Sequence, residues 1–450
     1  MNFFIKIIKK IFFIIKDCFK NKFPIIYYKL LLLRSFVLNN VTINDILIKK
    51  IILNNKFKQI NYKRNNKKKI ILVIGNLTHG GAERQILRLA ELLVQKNYNV
   101  KVASLIHGGK KLKYKINKKI KIDFIQTKVS KKYYLNHPLY LWIKNLSFFN
   151  LYEKLHFLKL YDYLKKENPN CTHAFLDFYS IISGFIGIIL NTPKIILSAR
   201  NVSPNNFVFY RSYFKECYKY LSKYNNITFI NNSIAGCNSY NKWLKLKKNK
   251  FKVINNIYDF NKKIKIHPIN VKRENSINIG SIMRLDPEKN PMYYLGLAKF
   301  IITKNKNYYF YLMGEGALKD KVKKFIKKYN LSKNVLLLKN TNNVYDYLHF
   351  FDLFLLTSDY EGTPNVVLES QHVGTPVIFK NAGGTAEALI KNYTGYLLNK
   401  NSFIDDYKII KKLVGKKNFL IKRDIKKIKR KLDKFLPVNS LKKTLDIYNG

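Results

Sequence analysis

Tyr360-Glu-Gly-Thr-Pro-Asn-Val-Val-Leu-Glu369 sets two carboxylates, Glu361 and Glu369, around a Gly-Thr-Pro-Asn turn. Proline suits the first turn of a helix, so Asn365 to Val373 reads as a helix that stops at Gly374. Glu361 then stands on the loop before that helix and Glu369 within it. The apolar runs on either side, Leu353 to Leu356 and Pro376 to Phe379, read as strands. Strand, loop, helix and strand within about 30 residues have the size of one βαβ unit. Ligands of open parallel sheets bind beyond the carboxyl ends of the strands, where this loop emerges. The amides of Gly362 and Thr363 would favour an anionic group, and a carboxylate in the helix body can accept hydrogen bonds from paired hydroxyls.

The preceding residues repeat this pattern. The strand Ile277 to Ile282 leads into Met283-Arg284-Leu285-Asp286-Pro287-Glu288-Lys289-Asn290-Pro291, ahead of a helix from Met292 to Thr303. Arg284 offers a planar fork to phosphate oxygens and Lys289 a mobile point charge, a pair suited to a diphosphate. The strand Tyr308 to Met313 ends in Gly314-Glu315-Gly316, and a basic helix covers Leu318 to Tyr329. A strand at Val335 to Leu338 and a helix at Val344 to Phe350 come next. Beyond the opening stretch, Ala382-Gly383-Gly384 permits close backbone approach.

The first half reads as another α/β unit. The strand Ile70 to Ile74 runs into Gly75-Asn-Leu-Thr-His-Gly80-Gly81-Ala-Glu-Arg84. A helix with Ile86, Leu87, Leu89, Ala90 and Leu93 on its apolar side follows, then the strand Val100 to Leu105. This is a Rossmann-type opening, but it contains no GxGxxG, so a dinucleotide site is not supported. Further strands are expected at Asn168 to Leu176, Lys194 to Ser198 and Thr228 to Asn231, with an apolar helix at Tyr179 to Leu190. Val253-Ile-Asn-Asn256 closes this half. His79, His107 and His173 are weak candidates, each read as structural when taken singly. The lysine-rich residues Asn261 to Ser276 form the expected linker.

A chain of 450 residues has room for two or three domains, and an apolar fraction of 47% argues against disorder. The net charge of +57 goes with over-use of lysine, asparagine, isoleucine, tyrosine and phenylalanine together. That combination points to compositional drift as well as to anionic partners such as phosphorylated substrates or acidic lipids. No zinc, homeodomain or RNA-recognition signature supports a nucleic-acid partner. The four cysteines show no CxxC spacing, so neither a zinc site nor a disulfide framework is indicated, and a reducing, cytoplasmic setting fits. Residues 1–66 read as an amphipathic basic segment: Phe4, Ile7, Ile8, Ile11, Ile15 and Phe19 recur at helical spacing, interrupted by lysines. The preferred reading is a helix at the interface of an anionic membrane; an extra helical layer on the next domain is the alternative.

Gly80-Gly81-Ala-Glu-Arg, Arg284-Leu-Asp-Pro-Glu-Lys289-Asn, Gly314-Glu-Gly316, the Glu361 and Glu369 pair and Ala382-Gly-Gly resemble, in order, the motif series of the family 4 retaining glycosyltransferases. The resemblance spans roughly Lys69 to Asn399 and implies the GT-B fold, two Rossmann-like domains facing across a cleft. It implies an acceptor domain over 67–258 and a nucleotide-sugar donor domain over 259–425, with a last helix over 426–450 crossing back. By the same resemblance Arg284 and Lys289 would hold the donor diphosphate and Glu369 the ribose. Glu361 and the backbone of Gly362, Thr363 and Asn365 would hold the sugar, with Gly314 and Gly316 also on the donor side. Gly80 and Gly81 would face the diphosphate from the other domain. Glu361, Arg284 and Lys289 are thus the candidate catalytic residues, with no metal and no cofactor implied.

Where many members carry a histidine after the strand at Lys194 to Ser198, this chain has Ala199-Arg200-Asn201, so Arg200, Asn201 and His173 are the candidates for the acceptor side. The implied partners are a nucleotide-sugar donor and a lipid-linked or polysaccharide acceptor, met at the inner face of the cytoplasmic membrane. A nucleotide-sugar isomerase of the same fold is the alternative within this architecture.

Overall fold

The computed structural model describes residues 69–78, 80–106, 118–125, 131–144, 146, 149–246, 249–269, 275–341, 343–398, 402–416 and 423–449. The segment 1–66, His79 and His107 lie outside them. The described chain forms two units, each on its own parallel sheet.

The first unit takes the described residues up to Asp259 and those from Asp433 onward. Its strands are β1 (Lys69–Ile74), β2 (Asn99–Ser104), β3 (Lys121–Phe124), β4 (Cys171–Phe175), β5 (Lys194–Ala199), β6 (Ile227–Asn231) and β7 (Phe251–Val253). They lie in the order β3-β2-β1-β4-β5-β6-β7, with every pairing parallel. Successive side chains of a strand point to opposite faces, and both faces of this sheet are covered, which is why β1 reads as an unbroken apolar run. Ile70, Leu72 and Ile74 join one core with Ile86, Leu89 and Leu93 of helix Gly81–Gln95. Ile71 and Val73 join the other, with Phe157, Leu160 and Leu164 of helix Leu151–Glu167 and Ile181 and Ile182 of helix Asp177–Ile189.

The last helix, Pro437–Asn449, contributes Leu441, Ile447 and Tyr448 to the Ile70 core and is therefore part of the first unit. The chain leaves this unit at Asp259 and returns at Asp433. Helix Ile425–Lys431 belongs to the second unit, where the backbone N–H of Arg423 donates to the Gly374 carbonyl at 2.9 Å.

The second unit has β8 (Ile277–Ile282), β9 (Tyr308–Met313), β10 (Val335–Leu338), β11 (Leu353–Leu356), β12 (Val377–Phe379) and β13 (Gly395–Leu397) in the parallel order β10-β9-β8-β11-β12-β13. Its core joins Ile279, Phe310, Leu312, Leu355 and Ile378 to Leu295, Ala298 and Ile301 of helix Pro291–Lys304 and Ile410 of helix Phe403–Val414. The strand order reverses between β8 and β11, which pair as Leu353 with Ile279 and Phe354 with Gly280. The loops leaving these two neighbours emerge side by side, at the place where such sheets bind ligands. No helix among the described residues is long and apolar enough to cross a membrane.

Candidate functional site

In the second unit the loop after β8 is shaped by the loop after β9. A Cβ added at Gly314 would lie 1.8 Å from the Met283 carbonyl oxygen, and one at Gly316 would lie 2.7 Å from the Leu285 backbone. Only glycine permits that approach, so the backbone N–H of Leu285 donates to the Glu315 carbonyl at 2.9 Å and that of Leu318 to the Leu285 carbonyl at 2.7 Å. The Ala317 N–H donates to Asp286 Oδ1 at 3.0 Å. Gly314 and Gly316 thereby fix the backbone from which Arg284 projects.

Arg284 is half exposed, with Nη1 2.9 Å from Asp286 Oδ2 and Nη2 2.5 Å from Glu288 Oε1. Lys289 ends the 3-10 turn Pro287–Lys289, and its Nζ lies 2.5 Å from Glu361 Oε1. Both partners of that pair are largely buried, so each compensates a charge that would be costly alone. Ser358 Oγ donates to the same Glu361 oxygen at 2.8 Å.

The turn is tied to the end of β11 along its length. Thr357 Oγ1 donates to the carbonyls of Lys289 and Asn290 at 3.2 and 3.1 Å, and Asn290 Nδ2 donates to Asp359 Oδ2 at 2.8 Å. Lys380, after β12, donates to Asp359 Oδ1 at 2.7 Å. Glu361 is held from the other side by a bridge to Gly383, its N–H donating to the Ala382 carbonyl at 2.6 Å. Gly362, Thr363 and Asn365 are buried, as is Glu369 in helix Asn365–His372. Lys289 and Glu361 are therefore brought together by the β8 and β11 neighbourhood, and Arg284 stands on the same β8 loop, paired with Asp286 and Glu288. Ser358, Asp359 and Lys380 are polar parts of this region that the sequence reading did not single out. Their signal was their position just after strands β11 and β12.

The remaining candidates lie in the first unit. Gly80 is the residue before helix Gly81–Gln95, and a Cβ there would lie 1.9 Å from Glu83 Oε2. His173 points into the core from the middle of β4, its Nδ1 2.7 Å from Tyr448 Oη. Burial, and then the charge of Arg200, pull this imidazole down to about 3, so it is neutral at physiological pH. Arg200 follows β5; its Nη2 donates to Asn256 Oδ1 at 2.6 Å and its guanidinium lies 5.1 Å from the Phe175 ring centroid. Burial lowers it to about 10, which leaves it charged. Asn201 turns its carboxamide back to the Val202 N–H at 2.9 Å, and its carbonyl accepts from Asn231 Nδ2 at 2.9 Å. Asn231 and Asn256 are participants that the sequence did not flag, being asparagines in a chain rich in them. Among the described residues no group of three or more His, Cys, Asp or Glu side chains is placed to hold a metal ion.

Residues 262–431 match the family described as glycosyl transferases group 1. The Vi polysaccharide biosynthesis protein VipC/TviE of Salmonella typhi is 25% identical over 365 residues, 74% of this chain and 62% of that protein. The UDP-Gal:alpha-D-GlcNAc-diphosphoundecaprenol alpha-1,3-galactosyltransferase of Escherichia coli is 36% identical over 139 residues, 30% of this chain and 35% of that protein. The chain thus spans less than two thirds of the length of either relative. Among solved structures, Anabaena Alr3699/HepE, crystallised with UDP and glucose, superposes with a TM-score of 0.66 at 16% identity, over 85% of this chain and 99% of that one. That likeness shows the fold, two parallel-sheet α/β units. Residues 262–431 thus carry the sequence pattern of the group 1 glycosyltransferases, and the chain has the GT-B fold.

Proposed function

We propose that this protein is a glycosyltransferase that moves a sugar from a nucleotide diphosphate sugar to a hydroxyl of a lipid-linked or surface-polysaccharide acceptor, with retention at the anomeric carbon. The observation that carries this reading is the meeting of Lys289 with Glu361 at the strand-order reversal of the second unit, on the same loop that bears Arg284. The names of the relatives, a polysaccharide biosynthesis protein and a galactosyltransferase using UDP-Gal and a diphosphoundecaprenol-linked sugar, support the donor and acceptor classes.

In this reading the donor diphosphate displaces Asp286 and Glu288 from Arg284 and shares Lys289 with Glu361. The bond between the anomeric carbon and the diphosphate oxygen breaks, its electron pair stays on that oxygen, and the two cations neutralise the charge that develops. The acceptor hydroxyl adds to the same face of the sugar and gives its proton to the departing phosphate, so no protein nucleophile is required. Glu369 holds the ribose hydroxyls; Glu361, with the backbone of Gly362, Thr363 and Asn365, orients the sugar. Gly314 and Gly316 act by fixing the Arg284 loop. Gly80 and Gly81 belong to the donor side, and Arg200, Asn201 and His173 to the acceptor side. The chemistry proceeds without a metal or cofactor, the protein working at the inner face of the cytoplasmic membrane. Removal of residues 1–60 tests that last point: unchanged vesicle binding would refute anchoring by this segment.

Calorimetric titration with UDP, GDP and their sugar conjugates tests the donor site. Binding of one nucleotide series, lost in Arg284→Ala with Lys289→Ala, is expected; a protein that binds neither series refutes the reading.

A further inference from the structure

Among the described residues Arg200 is a cation without a counter-charge. Arg284 and Arg211 are each paired with carboxylates, Arg211 through Nε to Glu153 Oε1 at 3.3 Å. Among the described residues Arg200 has no acidic partner: its hydrogen bond goes to the Asn256 carboxamide, and its Nε is enclosed without any acceptor. Its polar partner belongs to a group of carboxamides at the carboxyl edge of the first sheet. Asn231 ends β6, Asn232 follows it, and Asn255 and Asn256 follow β7, all four buried. Asn256 Oδ1 also accepts from Asn232 Nδ2 at 3.2 Å, so its single oxygen is shared between two donors.

A carboxamide oxygen supplies a dipole and not a charge, so the guanidinium remains an uncompensated cation, a costly arrangement in a protein interior. It is kept where open α/β sheets receive their ligands, just past the end of β5. The Phe175 ring beneath it and the Asn256 bond at one end restrict the orientation of the planar fork. With Nη2 engaged and Nε enclosed, the Nη1 end is the part left to a ligand.

We propose that Arg200 recognises an anionic oxygen, of a phosphate or a carboxylate, on the acceptor, and so makes the first unit selective for acidic over neutral glycans. This rests on the acceptor reading of that unit given above. Arg200 acts here by binding and selection, and the chemical step stays with the second unit.

The full-length protein, saturated with whichever of UDP and GDP it binds to occupy the Arg284 and Lys289 loop, is titrated calorimetrically with α-D-glucose 1-phosphate, D-glucuronate and D-glucose. An anionic sugar is expected to bind at least about 10-fold more tightly than glucose, as one charge-assisted hydrogen bond provides. Preference for the 1-phosphate identifies a phosphate-bearing acceptor, and preference for glucuronate a carboxylate-bearing one. Arg200→Gln is expected to remove the preference, and Arg200→Lys, which keeps the charge but not the fork, to weaken it severalfold. If Arg200→Gln does not fold, as judged by its melting curve, the lysine variant carries the test. Equal binding of all three sugars, or a preference unchanged in the variants, overturns the assignment. A preference lost in Arg284→Ala with Lys289→Ala while Arg200 is intact overturns it too. The same protein titrated with UDP and GDP alone separates the two ideas: binding of neither refutes the transferase reading, whereas nucleotide binding with no anion preference refutes only the role of Arg200.

Discussion

Lys289 and Glu361 are 72 residues apart in the chain and meet at 2.5 Å because β8 and β11 are neighbours in the sheet. Removing one partner of such a pair leaves the other charge buried and uncompensated. Lys289→Ala is therefore expected to lower stability by about 3 kcal/mol, whereas Lys289→Ala with Glu361→Gln recovers part of that loss. Denaturant unfolding of Lys289→Ala, Glu361→Gln and the double variant checks the non-additivity; additive effects would mean that the pair is not coupled.

Gly314→Ala sets a methyl group against the backbone carbonyl of Met283, a neighbour that cannot move as the end of a side chain can. A destabilisation of about 1–3 kcal/mol is expected, together with a rise in the Kd for the nucleotide as the Arg284 loop shifts. Gly415→Ala, whose added methyl would meet the Lys411 carbonyl oxygen at 3.3 Å, serves as the comparison and is expected to cost less than Gly314→Ala and to leave nucleotide binding unchanged. Thermal melts and nucleotide titration of both variants decide it.

His173 and His156 are both buried and held neutral, burial pulling them down to about 3 and about 4. Their folded values lie below the unfolded value of about 6.5. Stability is thus fully present above that pH and is lost as the pH falls, because the unfolded chain takes up protons that the folded one refuses. The loss is expected to reach about 1.4 kcal/mol per pH unit for each histidine between these limits. His156→Phe should reduce the slope below pH 6; an unaltered slope in urea unfolding series would refute the assignment.

Glu167 lies between Lys69 and Lys101, with contacts of 2.5 and 2.8 Å. Burial alone would raise its pKa, but the hydrogen bonds from Lys101 and Lys69 outweigh it and hold the carboxylate below its usual range. A depressed folded value means that this contribution is present above the unfolded value and is lost as acid titrates the folded carboxylate. Glu167→Gln is expected to cost about 1–3 kcal/mol at neutral pH and little below pH 3. Equal losses at both pH values would point to packing as the cause.

Tyr448 joins the last helix to β4 through His173. Tyr448→Phe keeps the ring in the Ile70 core and removes only the hydrogen bond, so a loss of about 1–2 kcal/mol is expected. Truncation at Leu436 removes Leu441, Ile447 and Tyr448 from that core and should abolish cooperative unfolding of the first unit. A truncated chain that melts like the intact one would show that the helix adds nothing.

The strands that carry the second unit were legible in the sequence because burial on both faces writes itself as an unbroken apolar run. Ile277–Ile282, Tyr308–Met313, Val335–Leu338 and Leu353–Leu356 stand where the run of residue types placed them. Of the edge strands, Val335–Leu338 keeps its apolar run, but two others leave no such trace. Lys121–Phe124 and Gly395–Leu397 are short and partly exposed, and neither was expected. Helices Phe214–Leu221 and Ile234–Leu244 were missed as well, since tyrosines, lysines and asparagines blur their apolar stripe.

Local residue type and spacing thus determined the α/β class, the βαβ repetition and the loops that bear Arg284, Lys289 and Glu361, because these depend on interactions within about 30 residues. The pairing of Lys289 with Glu361 needed β8 beside β11, an adjacency that strand order decides and no local pattern states. The steric duty of Gly314 needed the Met283 carbonyl at contact distance. The isolation of Arg200 is likewise a tertiary fact: in a chain with 84 lysines and arginines one more cation says nothing, until the fold sets it on the Asn256 carboxamide and the Phe175 ring with no acid beside it among the described residues.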